Sequence, residues 1–214
     1  MRPAAVLHAA IFDIDGTLLD SCGIDDSLFS DAVRKALGAV RIRDGWHEYA
    51  RVTDTGILAD ICSDNSLAYD ASVSLRVMNV YFRSLLDHIQ VNGPYREIPG
   101  ALQYLNALRA RADVRVAYAT GGWGTTARHK LASAGFPLDG IPLACADDHP
   151  DRMHIMLQAL GRLEGPFASV TYFGDGVWDQ SAAARLGWGF VAVGPKLDGI
   201  SDFGALPPQL FRVG

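Results

Sequence analysis

Ile11-Phe12-Asp13-Ile14-Asp15-Gly16-Thr17-Leu18-Leu19-Asp20 is the stretch that decides the fold. Its apolar approach, Ala9-Ala10-Ile11-Phe12, predicts a buried strand. The strand ends in two carboxylates two residues apart, followed by a Gly-Thr turn. Residues i and i+2 of a strand share a face, so a loosening strand end aims Asp13 and Asp15 at one spot. Carboxylates are costly to bury unless paired, neutralised or bound to a metal. The pattern points to a metal-assisted site with one carboxylate as nucleophile and the other as acid/base. The competing reading is a strand that runs into a polar turn, with Asp capping a helix.

Downstream of the turn the pattern is helical. Ile24, Leu28, Phe29, Ala32, Val33, Ala36 and Leu37 form one stripe that stops at Gly38. A second helix is expected after Asp54, carrying Ile57, Leu58 and Ile61. A third is expected over about 66–88, with Leu75, Met78, Phe82, Leu85 and Leu86 on one face. No strand pattern occurs between 21 and 95, so this span reads as a helical insert, closed by the turn cluster Asn92-Gly93-Pro94-Tyr95. From there strands and helices alternate. A helix follows Pro99-Gly100. Val114, Val116 and Tyr118 mark a strand that ends at Thr120-Gly121-Gly122. Ala127, Leu131 and Ala134 mark a helix, and a short strand covers 142–145. Met153, Met156, Leu157 and Leu160 have helical spacing. Val170 to Phe173 form a strand ending in Gly174-Asp175-Gly176, followed by a helix from about Asp179 and a strand over 190–193. This alternation predicts an α/β domain with a doubly wound parallel sheet. The Gly- and Pro-containing tail from Lys196 gives no clear pattern.

Composition narrows the function. The 214 residues accommodate one ordinary domain plus a smaller one, and 49% of them are apolar, enough for a substantial core. A net charge of −5 carries no basic footprint, so nucleic acid is not an expected partner. No apolar run approaches the roughly 18 residues of a membrane span, so no membrane partner is expected either. Cys22, Cys62 and Cys145 lack Cys-x-x-Cys spacing and read as reduced thiols of a cytoplasmic protein. The N-terminus leads straight into the first strand, which argues against a cleaved signal.

In an open parallel sheet, ligands bind beyond the carboxyl ends of the strands. There the expected strands deliver Asp13 and Asp15, then Thr120 with the Gly121-Gly122 backbone, then Asp175 with Asp179 one helical turn further on. These residues carry a resemblance. The chain is similar to members of the haloacid dehalogenase-like hydrolase superfamily, in particular the phosphoglycolate phosphatase-like branch with a helical cap. Asp13-Ile14-Asp15-Gly16-Thr17 matches the first family motif, Thr120-Gly121 the second and Gly174-Asp175-Gly176-Val177-Trp178-Asp179 the fourth.

The resemblance implies a Rossmann-like core over residues 1–19 and 96–214 and a small α-helical cap over 20–95. It implies a phosphoric monoester hydrolase, a Mg²⁺-dependent phosphatase acting on a small phosphorylated metabolite through an aspartyl-phosphate. Asp13 attacks phosphorus. Asp15 protonates the leaving alcohol and then helps activate water. Asp13, the backbone carbonyl of Asp15, Asp175 and Asp179 serve the metal, and Thr120 and the Gly121 backbone bind the phosphoryl oxygens. The third motif departs from the family pattern, because Asp147-Asp148-His149-Pro150-Asp151-Arg152-Met153 has no Lys. Arg152 is the expected replacement, since its fork carries the charge and grips phosphate; Lys130 and His149 are the other candidates. In the cap, His47, Thr53 and Thr55 are candidates for substrate selection, against an alternative in which they are surface or capping residues. Trp178 and Trp188 read as core residues. A sugar-phosphate mutase and a non-catalytic phosphometabolite-binding protein remain alternatives, and the carboxylate at Asp15 disfavours dehalogenation, because a halide leaves without a proton. A monomer or homodimer is expected.

Overall fold

The computed structural model describes residues 6–206. They form a five-stranded, all-parallel sheet in the order β3-β2-β1-β4-β5. The strands are β1 (Leu7–Phe12), β2 (Val114–Ala119), β3 (Leu143–Ala144), β4 (Phe167–Gly174) and β5 (Gly189–Ala192). β1 is central, and its apolar run is buried apart from the half-exposed Leu7, as expected for a strand covered on both faces. Helices α4 (Ala101–Arg109) and α5 (Gly124–Ser133) cover one face, where Leu105, Leu108 and Leu131 pack on Phe12, Val116, Tyr118 and Phe173. Helices α6 (Arg152–Gly161) and α7 (Val177–Leu186) cover the other, where Ile155, Met156 and Ala183 pack on Ile11, Ala117 and Tyr172. Phe12 and Phe173 stack across the β1–β4 pair with centroids 4.3 Å apart. The core is therefore a doubly wound α/β domain. The chain leaves β1 to one side for β2 and β3 and returns on its other side for β4 and β5. Beside β1 is thus the switch point where such sheets form their crevices.

Between β1 and β2 lie α1 (Cys22–Leu37), α2 (Asp54–Asp64) and α3 (Ala71–Asn92). They enclose their own apolar cluster of Phe29, Val33, Leu58, Ile61, Val77 and Tyr81. Trp123 and Ala146, from loops of the α/β layer, complete that cluster and tie the helices to it. The outgoing and returning chains pair as they cross: Asp20 N donates to Arg96 O and Ile98 N to Leu18 O, both at 2.9 Å.

Some expectations need correction. α3 starts at Ala71 rather than near 66, because Asp70 caps it by accepting from Ser72 N and Val73 N. Its buried stripe is Val73, Val77, Tyr81 and Leu85; Leu75 is 56% and Leu86 39% exposed. Of the other residues expected on that face, Leu85 is buried, and Phe82 and Met78 are partly buried against the apolar clusters. On α6, Ile155, Met156 and Ala159 are buried, whereas Leu157 faces outward. The tail carries two short 3-10 turns, and Phe203 in the second is wholly buried against Tyr104 and Phe173. No helix among the described residues is long and apolar enough to cross a membrane.

Candidate active site

β1 stays in the ladder through Asp13, whose backbone N donates to Phe173 O at 2.9 Å. The chain then turns on the carbonyl of Ile14, which accepts from the backbone N–H groups of Thr17, Leu18 and Leu19. Gly16 adopts φ +77°, and a Cβ there would collide with the carboxylate of Asp175. Only glycine lets the first strand's turn approach the fourth strand so closely. Asp175 follows β4, and Asp179 sits in the first turn of α7, where it accepts from Gly176 N at 3.2 Å. Thr120 follows β2 and accepts from Gly122 N at 3.1 Å. Gly121 has no room for a side chain, since a Cβ would lie 2.7 Å from Arg152 Nη2 and 2.8 Å from Val52 O.

Asp13, Asp175 and Asp179 are all buried, and one carboxylate oxygen of each lies within 4.8 Å of the others. Arg152, at the start of α6, spans the group: Nη1 is 2.9 Å from Asp13 Oδ1 and Nε 3.3 Å from Asp179 Oδ1. Neither Nε nor that Asp179 oxygen makes a hydrogen bond. Burial pushes the Asp13 carboxyl well above its usual range; Arg152 opposes this, and Asp179, Asp175 and Asp15 add to it. Burial raises Asp179 to about 6 against the pull of Arg152. The site therefore crowds negative charge without cations enough to balance it. An all-oxygen donor set with one buried oxygen lacking a hydrogen bond is what a hard divalent cation such as Mg²⁺ takes as ligands, so these residues fit such an ion.

Asp15 stands apart from this group. Burial pushes its pKa up, but the Lys130 ammonium and hydrogen bonds from Lys130 and Ser21 hold it below the usual carboxylate range. Of the three candidates for the missing Lys, Arg152 reaches Asp13, Lys130 reaches Asp15 at 2.6 Å, and His149 reaches neither. His149 Nδ1 accepts from Asp151 N instead, and its ring stacks on His154.

Asp13, Asp15, Thr53, Thr120, Gly121, Arg152 and Asp175 line one inner pocket of 100 Å³. It shares Asp26, Trp46, Trp178 and Lys196 with an outer cleft of 620 Å³ that His47 also lines. Thr53 and Thr55 spend their hydroxyls on structure. Thr53 caps α2 by accepting from Gly56 N and donates to Pro150 O; Thr55 accepts from Trp123 Nε1 and donates to Ala146 O.

Other residues at this site were not anticipated. Lys196 Nζ pairs with Asp175 Oδ2 at 2.7 Å; it lies just past β5, so the strand-end rule that found the aspartates would have found it too. Asp25 interrupts the apolar face of α1 as Lys130 interrupts that of α5, and a charge on a buried stripe is the signal for both. Asp54 is the first residue of α2, and it accepts from Trp123 N at 2.8 Å inside the pocket wall. Trp178 is a half-buried cleft wall rather than a core residue.

Comparisons with known proteins bear on the family and the fold. A family model described as haloacid dehalogenase-like hydrolase matches residues 7–187. No curated protein sequence matches the chain. Among solved structures, a hydrolase from Pseudomonas syringae is 20% identical with a TM-score of 0.68, covering 86% of this chain and 83% of its own. CbbY from Rhodobacter sphaeroides, in complex with phosphate, is 18% identical with a TM-score of 0.68 over 92% of this chain and 89% of its own. β-Phosphoglucomutase from Clostridium difficile is 17% identical with a TM-score of 0.69 over 90% and 87%. At these identities the likeness is one of fold.

Proposed function

The chain belongs to the haloacid dehalogenase-like hydrolase family, and on that premise we propose that it is a Mg²⁺-dependent phosphatase of a small phosphorylated metabolite. The observation that supports this most is Arg152, which pairs with Asp13 and Asp179 and, with Asp13, Asp15, Thr120 and Asp175, lines the inner pocket.

In this reading Asp13, the carbonyl of Asp15, Asp175 and Asp179 hold Mg²⁺, which when bound offsets the repulsion between an anionic nucleophile and a phosphate dianion. Arg152 and Thr120 grip the phosphoryl oxygens together with the backbone at Gly121. A carboxylate oxygen of Asp13 forms a bond to phosphorus as the ester P–O bond breaks, giving an aspartyl-phosphate. Asp15, ionised in the resting site, first takes up a proton from solvent, an uptake favoured by the phosphoryl charge beside it, and the departing alkoxide then takes that proton. The resulting carboxylate then removes a proton from the water that attacks phosphorus and releases phosphate. Catalysis of this kind rests on positioning and charge compensation.

The span 20–95 acts as a cap over a core of 1–19 and 96–214. Contacts of Val52, Thr53, Asp54 and Thr55 with Gly121, Trp123, Ala146, Pro150 and Arg152 hold it over the inner pocket. The alcohol part of the substrate then extends into the outer cleft, past Trp46, Trp178 and His47. The test is phosphate release from sugar phosphates, phosphoglycolate and nucleotides, with and without Mg²⁺. Turnover of at least one ester that vanishes on removing Mg²⁺ is the expected result. Isomerised sugar phosphate without free phosphate makes the protein a mutase instead. Ligand-induced thermal stabilisation without turnover makes it a binding protein.

A further inference from the structure

Lys130 shares the inward stripe of α5 with Ala127 and Leu131, yet its side chain is only 1% exposed. Its ammonium donates to Asp15 Oδ1 at 2.6 Å and to Asp25 Oδ2. Asp25 is fixed in turn, because its other oxygen accepts from Tyr95 OH at 3.0 Å. Ser21 Oγ donates to the same Asp15 oxygen at 2.5 Å. The group draws one member from a core helix, others from the start of α1, and one from the returning chain.

A buried ammonium is strongly disfavoured unless carboxylates surround it. Here one of its two carboxylates is the residue given the proton-transfer role. The division of labour among the cations is also specific, since Arg152 attends Asp13 and Lys130 attends Asp15. Asp15 Oδ1 is held from two sides. Asp15 Oδ2 makes no hydrogen bond among the described residues and lies on the side of Gly122, which lines the inner pocket.

We propose that Lys130, anchored by Asp25, is a positioning residue: it clamps Asp15 Oδ1 so that Oδ2 is presented to the leaving-group oxygen. The clamp rests on the phosphatase reading above. It ties the geometry of proton transfer to the seating of α1, because displacing Asp25 with that helix removes half of the lysine's anchorage.

The test compares two esters in the presence of Mg²⁺. The phenolate of 4-nitrophenyl phosphate departs with little need of a proton, whereas the alkoxide of glycerol phosphate needs one. Lys130→Met is expected to lower kcat on both esters, but at least about tenfold more on the alkyl ester, with KM changed by less than about threefold. Equal losses on the two esters, or an unchanged kcat, overturn the clamp. If Lys130→Met fails to fold, Lys130→Gln combined with Asp25→Asn keeps hydrogen-bonding groups without the charges, and the same ratio is read. Asp25→Asn alone moves the ratio in the same direction by less. A wild-type protein inactive on every ester of the panel removes the phosphatase reading and the clamp with it, whereas an active wild type with equal losses in the variants removes the clamp alone.

Discussion

At the sheet edge, Asp13, Thr120 and Asp175 follow the three neighbouring strands β1, β2 and β4. On the helical insertion, Thr53 and Thr55 turn their hydroxyls to backbone groups of the loops below them. Both sets line or flank one pocket, yet they differ in what fixes them. A residue after a parallel strand is aimed by the register of the ladder. A residue on the insertion is aimed by how three helices dock, and the docking here consumes the polar groups that looked free in the sequence. The insertion presents Trp46 and His47 to the cleft instead, from a 3-10 turn rather than a helix.

The sharpest way to break this contrast is at Arg152. Arg152→Leu leaves Asp13 and Asp179 buried without their cation. Loss of activity by about 10³-fold is expected, together with about 3 kcal/mol of stability lost in urea unfolding; Arg152→Lys keeps the charge but not the fork and recovers part of both. A variant with near wild-type kcat takes Arg152 out of the sheet-edge machinery.

Next in size is Asp179→Asn. It is expected to weaken Mg²⁺ binding about 10- to 100-fold, as read by calorimetric titration of the purified protein. Unchanged affinity moves the ion away from this carboxylate. On the insertion, Thr55→Val strands Trp123 Nε1 and Ala146 O and is expected to cost about 1–3 kcal/mol, with ester preference across the panel unaltered. Trp46→Ala is expected to raise KM and shift ester preference, with some loss of melting temperature because its ring packs on Phe29 and Tyr49. A shift in ester preference from Thr55→Val returns that threonine to a selecting role.

The smallest effect concerns pH. Burial pushes the Asp54 carboxyl up to about 7, against an opposing hydrogen bond from Trp123 N. The folded chain therefore holds this proton more tightly than the unfolded one. The group favours folding below the ordinary carboxylate range, and that contribution is lost as pH rises through about 7. Asp54→Asn removes the dependence, so its melting temperature is expected to fall less than that of the wild type between about pH 5 and about pH 8. A steeper fall in the variant contradicts the cost assigned to desolvating Asp54.

The same contrast explains what the sequence made legible. The order of strands and helices, the alternation of Val114, Val116 and Tyr118, and the polar strand ends are local or periodic features, and the doubly wound core follows from them. Lys130 and Asp25 act across the boundary between core and insertion, 105 residues apart in the chain, and no local pattern pairs them. Leu85, Phe82 and Met78 of α3 turn inward as expected, and Leu75 and Leu86 do not, for a related reason. Leu75 and Leu86 are as apolar as Val73 and Val77, and the docking against α1 selects which of them turn inward. Lys196 was missed because it belongs to a tail without periodicity, although its position after β5 follows the rule that found Asp175.

The central claim, that a buried carboxylate at the end of β1 attacks phosphorus, is tested most directly by Asp13→Asn. Phosphate release by variant and wild type is measured on the best ester of the panel at saturating Mg²⁺, with thermal melts alongside. The expected result is a loss of at least about 10³-fold in kcat with the melting temperature retained, since the change removes a carboxylate that burial already disfavours. A variant that keeps turnover within about tenfold of wild type, still dependent on Mg²⁺, contradicts the assignment of Asp13 as nucleophile.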